Sequence, residues 1–265
     1  MALPLPDRGL DFGDGLFETM LYAQGRLFYP KLHLDRLQSG LKTLGFPDCL
    51  GTARIHLNKV VAELPSLNIS RAAVRLTITR GSGPRGYAPP IECQPRVIIA
   101  VEADKANWNG ALEPATLGLA TTRLASQTQL AGIKHLNRLE QVLAARERLH
   151  QSFDEMVMLD SNDDAISVIS GNLFVVKAGE LITPLLSECG VKGTRRHLLI
   201  NDWAPALGIN VREQRIDVST LADSDELFFT NSLIGLRPVS CFGNAQWAQW
   251  PVFTALRALY WGDNE

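Results

Sequence analysis

Lys134 is the residue of this 265-residue chain whose placement most invites chemistry. It stands in Leu130-Ala131-Gly132-Ile133-Lys134-His135, an apolar stretch leading into a helical pattern. A lysine there is either a solvated surface charge or a deliberately placed amine. Burial beside apolar neighbours lowers an amine's pKa, and the unprotonated amine is the form that adds to a carbonyl. A second feature is Gly190-Val191-Lys192-Gly193-Thr194, which opens another helical pattern. Backbone N–H groups and the dipole at a helix start hold a phosphate; the blander reading is a glycine loop with Thr194 as N-cap. Thr230-Asn231-Ser232 ends a strand pattern and offers hydroxyl and amide groups to the same anion. Arg36 either adds a charge-assisted bond to it or is a solvated arginine on a polar helix face.

Arg80, Arg85 and Tyr87 flank or occupy the glycine-rich loop Gly81-Ser82-Gly83-Pro84-Arg85-Gly86-Tyr87. Two arginines in such a loop either bind carboxylates or stand as exposed charges in a mobile hairpin. His135 follows Lys134, but adjacent helical positions face different ways, so it reads as structural.

The elements that must position these residues alternate between helix and strand. Leu34, Leu37, Leu41 and Leu44 share one helical face over 31–44, with Gly45 as a stop. Thr52 is a candidate cap for a second helix to Glu63. Strands are expected over 72–79 and 96–102, then near 116–122, 155–159, 173–177, 180–183, 210–216 and 226–230. A helix is expected from Asn137 to about His150, with Leu136, Leu139, Val142, Leu143 and Leu149 as its apolar face. Another follows Gly190–Thr194, with Trp203 and Leu207 inward. A last helix is expected near 252–261. The polar stretch 103–114 is the candidate hinge between a domain at 1–108 and one at 109–265.

Composition narrows the function classes. Apolar residues make up 46% and charged residues 20%, enough for a substantial core. Net charge is -2 and no long basic run occurs, which argues against nucleic acid as a partner. The cluster Lys192, Arg195, Arg196 sits beside glycines and suits a small anion. Cys49, Cys93, Cys189 and Cys241 show neither CxxC nor metal-ligand spacing and read as thiols of a reducing cytoplasm. No signal peptide or membrane-spanning run is expected, and no metal.

The run Leu130 to Gln141 (LAGIKHLNRLEQ) resembles the cofactor-lysine segment of aminodeoxychorismate lyases. These are fold-type IV pyridoxal phosphate (PLP) enzymes, a superfamily shared with branched-chain and D-amino acid aminotransferases. Asp7 to Thr19 resembles the family's opening motif, and Arg80 to Tyr87 its glycine loop. Asn172-Leu-Phe, Gly190-Val-Lys-Gly and Thr230 to Val239 match later blocks, all collinear. The resemblance implies an α/β (α+β) fold with a smaller N-terminal α/β domain and a larger C-terminal mixed-sheet, PLP-binding domain. It implies that Lys134 binds PLP as a Schiff base and moves protons, and that Thr19 supplies a hydroxyl assisting elimination. Arg36, the backbone at Val191 and Lys192, Asn231 and Ser232 would hold the phosphate. Arg85, Arg80, Tyr87 and Asn137 would meet the substrate. The implied reaction converts 4-amino-4-deoxychorismate to 4-aminobenzoate and pyruvate, in a cytoplasmic homodimer. Ser167 stands five residues before Asn172, where the family places a glutamate against the pyridine nitrogen. That replacement keeps open a relative with weakened or lost catalysis; a fold-type IV aminotransferase for branched-chain or D-amino acids is the other alternative, against which the Lys134–Gln141 run and Thr19 favour the lyase.

Overall fold

The computed structural model describes residues 4–103 and 113–262. The chain divides into two compact units, one spanning Met1–Asn107 with Ile133–Asn137, the other Trp108–Gly132 with Arg138–Glu265. Lys134 lies in the first of these units. The expected hinge lies mostly on residues 104–112, outside the described residues.

The first unit opens with α1 (Arg8–Phe12), capped by the Asp7 carboxylate and stopped by Gly13 in the left-handed region at φ 66°. Then come β1 (Gly15–Ala23), β2 (Arg26–Leu27), α2 (Pro30–Thr43), α3 (Leu50–Glu63), β3 (Arg71–Thr79) and β4 (Arg96–Ala103). The four strands form one sheet in the order β2-β1-β3-β4, every described pairing antiparallel. β1 is missing from the expected elements because apolar residues lie on both sides of its alternation. α2 buries Leu37 and Leu41 as its spacing predicts. Thr52, the expected cap of α3, lies inside the helix, which starts at Leu50 after Cys49 and has no side-chain cap. α2 packs on β1 and α3 on β3 and β4, so both helices cover one face of the sheet.

The second unit holds β5 (Ala115–Leu119), α4 (Leu139–Arg148), β6 (Glu155–Leu159), β7 (Ala165–Val168), β8 (Asn172–Lys177) and β9 (Glu180–Pro184). α5 (Thr194–Leu198) runs on through a wider π-helical turn, Leu199–Trp203, into α6 (Ala204–Ala206). β10 (Val211–Gln214), α7 (Val218–Ala222), β11 (Glu226–Asn231), β12 (Gly235–Phe242), β13 (Ala245–Gln246) and α8 (Pro251–Gly262) complete it. Its nine strands form a mixed sheet, β10-β9-β8-β11-β12-β5-β6-β7, with β13 pairing β12. The smaller α/β and larger mixed-sheet units match the expected fold class. Leu173, Val175, Leu227, Phe229 and Val239 are central to the core.

α4 corrects an expectation. Its leucine face was to point inward, yet Leu139 is 76% exposed and Val142, Leu143 and Leu149 are exposed as well. Ala144 is the buried position. On the sides flanking it, Glu140 accepts the Ala125 N–H at 2.8 Å, and Glu147 accepts the N–H groups of Thr121 and Thr122 at 2.7 and 2.9 Å. Desolvation alone would raise the Glu147 pKa. Hydrogen bonds from Thr122 and Thr121 outweigh it and hold the carboxyl at about 2. Two anchored carboxylates thus set the rotation of the helix against its hydrophobic pattern.

Candidate active site

Lys134 sits in an extended segment laid against β1. The Phe17 N–H donates to the Lys134 carbonyl at 2.9 Å, and the Leu136 N–H donates to the Gly15 carbonyl at 3.0 Å. The Lys134 Nζ lies 4.5 Å from the centroid of the Phe17 ring. Strand alternation puts Phe17 and Thr19 on the same face of β1, opposite the face carrying Leu16 and Glu18. Thr19 pairs with Arg75 on β3, and the Arg75 guanidinium lies 3.9 Å from the same Phe17 ring. An amine and a guanidinium thus flank a single aromatic ring, on the strand face that also bears the Thr19 hydroxyl. Phe17 and Arg75 were not anticipated. The only signal for Arg75 was a basic residue at an outward position of an alternating strand.

The covered face carries a different charged group. Glu18 is buried and accepts from Arg36 Nε at 2.8 Å, while its second oxygen lies 2.6 Å from His33 Nδ1 and also accepts from Arg36 Nη2. Burial by itself would raise the Glu18 carboxyl. The Arg36 charge and the hydrogen bonds from His33 and Arg36 prevail and hold it at about 2. Arg36, expected as a phosphate ligand, is thus also the partner of a buried carboxylate. Glu18 and His33 were missed because one lies in an apolar strand and the other in a helix of mixed polarity.

Around the glycine loop the two expected arginines separate. Arg80 is 4% exposed. Its Nε donates to Asp14 at 2.8 Å, its terminal nitrogens donate to the Leu44 and Gly45 carbonyls, and it stacks on Phe46. These contacts all tie the fold together, and none of them is the substrate contact expected of Arg80. Arg85 is exposed and forms no hydrogen bond or ion pair among the described residues. Tyr87 is exposed, its ring 5.4 Å from that of Phe12. Arg8, unforeseen, donates to Asp14 and to the carbonyls of Gly86, Tyr87 and Ala88, which pins the loop bearing Arg85. The Asn137 amide, expected at the substrate, donates to the Gly13 carbonyl at 3.2 Å.

The anion-binding candidates lie in the second unit. The Gly190–Gly193 turn is braced from two sides. The Gly132 N–H donates to the Gly190 carbonyl, and the Lys192 N–H to the Gly132 carbonyl, each at 3.0 Å. The Lys192 N–H, expected as a phosphate donor, thus donates within the turn's own bracing. Asn172 donates to the Val191 carbonyl at 2.8 Å. A Cβ at Gly193 would come 2.0 Å from the Asn172 side-chain oxygen, so only glycine allows this approach. Asn231 accepts the N–H groups of Leu233 and Ile234 at 3.0 and 2.9 Å, shaping the turn that presents Ser232. Ser167 is half-buried on β7 opposite Met158. Of the nearby carboxylates, Asp163 pairs with Arg123 and Asp164 with Arg215.

Among the described residues no group of His, Cys, Asp and Glu is gathered as for a metal ion, and no helix is long and apolar enough to cross a membrane. The family model described as amino-transferase class IV matches residues 15–242. The chain belongs to this family. It is 35% identical over 241 residues to the aminodeoxychorismate lyase of Vibrio harveyi, covering 90% of this chain and 86% of that protein. The crystal structure of 4-amino-4-deoxychorismate lyase from Pseudomonas aeruginosa superposes with a TM-score of 0.89 at 34% identity, covering 99% and 96% of the two chains. A D-alanine aminotransferase of Listeria innocua is 28% identical, covering 92% of this chain and 84% of its own. Class IV enzymes of this kind are PLP-dependent and have fold type IV.

Proposed function

We propose that the protein is a PLP-dependent lyase that converts 4-amino-4-deoxychorismate to 4-aminobenzoate and pyruvate, a step of folate synthesis. The observation that carries this reading is the Lys134 amine over Phe17, on the sheet face that also bears Thr19. The identities of 35% and 34% to two lyases named for that substrate support it.

The donor set fits the cofactor. PLP has an aldehyde, a phosphate and a pyridine nitrogen. Lys134 supplies an amine for the first. Ser232 and the glycine turn braced by Asn172 would supply donors for the second, and the family resemblance names Arg36 for it as well. The third would meet the neutral Ser167. When bound, PLP supplies an electron sink beside the substrate amine. Lys134 Nζ removes the proton at C4 of the substrate. The Thr19 hydroxyl assists as the bond between C3 and the enolpyruvyl oxygen breaks. The released enol takes up a proton at its methylene carbon and becomes pyruvate, while the six-membered ring becomes aromatic. Arg85 and Arg75 orient the two carboxylates, so most of the protein's contribution is placement and proton transfer.

Homodimerisation and a cytoplasmic location belong to the same proposal. The exposed apolar face of α4 supports a partner copy, and sedimentation of the purified protein tests it. For the activity, the decisive measurements are the visible absorption band formed with PLP, which borohydride removes, and pyruvate release from the substrate. No band would sink the reading. The Listeria relative favours an aminotransferase; formation of an amino acid from a keto acid, without pyruvate release, would establish that reading instead.

A further inference from the structure

The glycine-rich loop 81–87 and the segment before β1 are tied together through one side chain. Arg8, the first residue of α1, is buried although it carries a guanidinium. Its Nε donates to the Asp14 carboxylate at 2.9 Å. One terminal nitrogen donates to the Gly86 and Ala88 carbonyls at 3.1 and 3.3 Å, the other to the Tyr87 carbonyl at 2.7 Å. Three consecutive carbonyls thus take their bonds from one planar fork, a geometry that the point charge of a lysine does not reproduce.

The stem of the same residue meets the loop's other limb. A Cβ on Gly83 would come 2.7 Å from Arg8 Cδ, so a larger residue there would push the arginine off its carbonyls. Arg85 stands between these two points, after Gly83 and before Gly86, with its own side chain exposed. The far end of the tie is braced. Asp14 also accepts from Arg80 Nε at 2.8 Å, the Arg8 N–H donates to the Gly81 carbonyl at 2.8 Å, and the Phe12 ring lies 4.8 Å from Arg8 Cζ. Glycines make the loop costly to order, with φ at 78° for Gly81 and 93° for Gly86. An exposed side chain on it therefore has one position only where the loop is held.

We infer that Arg8 is a positioning residue for substrate recognition: it holds both limbs of the loop so that Arg85 meets a substrate carboxylate in one geometry. The inference rests on the reading above, in which Arg85 takes a carboxylate of an acidic substrate. A loop ordered beforehand spares the substrate the cost of ordering it. Losing Arg8 then weakens binding of substrate and transition state alike and leaves the chemical step in place.

The test is a double-mutant cycle on the PLP-loaded protein, read as KM and kcat for pyruvate release, with wild type, Arg8→Met, Arg85→Gln and the double variant. Arg8→Met should raise KM about threefold to tenfold, with kcat largely kept and the PLP absorption band unchanged. In the Arg85→Gln background the same substitution should change KM less than about twofold, because the side chain it positions is gone. Trypsin should also cut after Arg85 about tenfold faster in Arg8→Met than in the wild type, at a temperature where both are folded. An unchanged KM in Arg8→Met overturns the inference and leaves the lyase reading intact. An equal rise in KM in both backgrounds also overturns it, because Arg8 would then act on the fold at large. Should Arg8→Met not fold, Arg8→Lys decides: it keeps a charge for Asp14 but cannot serve three carbonyls, and wild-type KM and cleavage in that variant overturn the inference. Wild-type KM in Arg85→Gln overturns the assignment of Arg85 to the substrate and the inference with it. A wild type that forms no PLP band and releases no pyruvate overturns the lyase reading itself.

Discussion

Strand β1 sends alternate side chains to opposite faces of one sheet, and the two faces are built for different ends. Glu18 points to the helix-covered face, where Arg36 and His33 surround it and hold its carboxyl ionised. Thr19, the next residue, shares the other face with Phe17, Arg75 and the Lys134 amine. On the covered face the Glu18 charge is matched by partners at hydrogen-bond distance, which is how buried ions persist. On the other face two cations share one aromatic ring, an arrangement suited to an acidic substrate. A single strand, through its two-residue period, thus presents a buried ion cluster on one face and the residues of the proposed site on the other.

That contrast can be broken by substitutions one residue apart. The largest effect is expected from Lys134→Ala: pyruvate release falls to background and the PLP band disappears, with the denaturation midpoint nearly unchanged. A surviving band would mean that another lysine holds the cofactor. Thr19→Val should lower kcat by about a hundredfold to ten-thousandfold, the usual range for a lost proton-transfer group, at constant stability. If melting and kcat fall together, the hydroxyl is structural and the two faces are less distinct than argued.

Glu18→Gln should do the reverse. It leaves the Arg36 guanidinium without its carboxylate and is expected to cost about 3–5 kcal/mol of stability in chemical denaturation. The pH dependence has a definite sign. The Glu18 carboxyl titrates at about 2 when folded and near 4.5 when unfolded. Its contribution is therefore present above pH 4.5 and is lost as pH falls toward 2, because the unfolded state takes up the proton first. The Glu18→Gln variant should lack that part of the acid loss; an identical acid profile would mean Arg36 and His33 do not hold the charge.

Smaller effects sharpen the open face. Arg85→Gln and Arg75→Gln should each raise KM about tenfold with kcat largely kept, whereas Arg80→Gln should lower the melting temperature without that KM change. A rise in KM for Arg80→Gln would return it to the substrate. Least in size, Ser167→Glu should shift the pH behaviour of the PLP absorption band; an unchanged spectrum and rate would show that this side chain does not face the ring nitrogen.

Much of this was legible in the residues themselves. The strand periods of β3, β4, β6, β8 and β11, the helix α2 and the glycine turn before α5 follow from local pattern, because spacing and breakers act over a few residues. The family resemblance around Lys134, and with it PLP and the lyase chemistry, is likewise a property of the linear chain. What the chain alone left undecided concerns partners distant in sequence. The spacing of Arg80 and Arg85 made them look equivalent, but Asp14, Phe46 and the Leu44 carbonyl claim only Arg80. Periodicity identified a leucine face on α4, but the bonds of Glu140 and Glu147 to backbone N–H groups of the 121–125 segment set which way it turns. Arg75 acquires its place only when β3 pairs with β1, and Arg195 only when the turn after β11 meets the start of α5. The sequence by itself determined many of the elements and the family, since those depend on neighbours along the chain. The tertiary structure alone decided which charges are paired in holding the fold, because that depends on what each side chain meets across space.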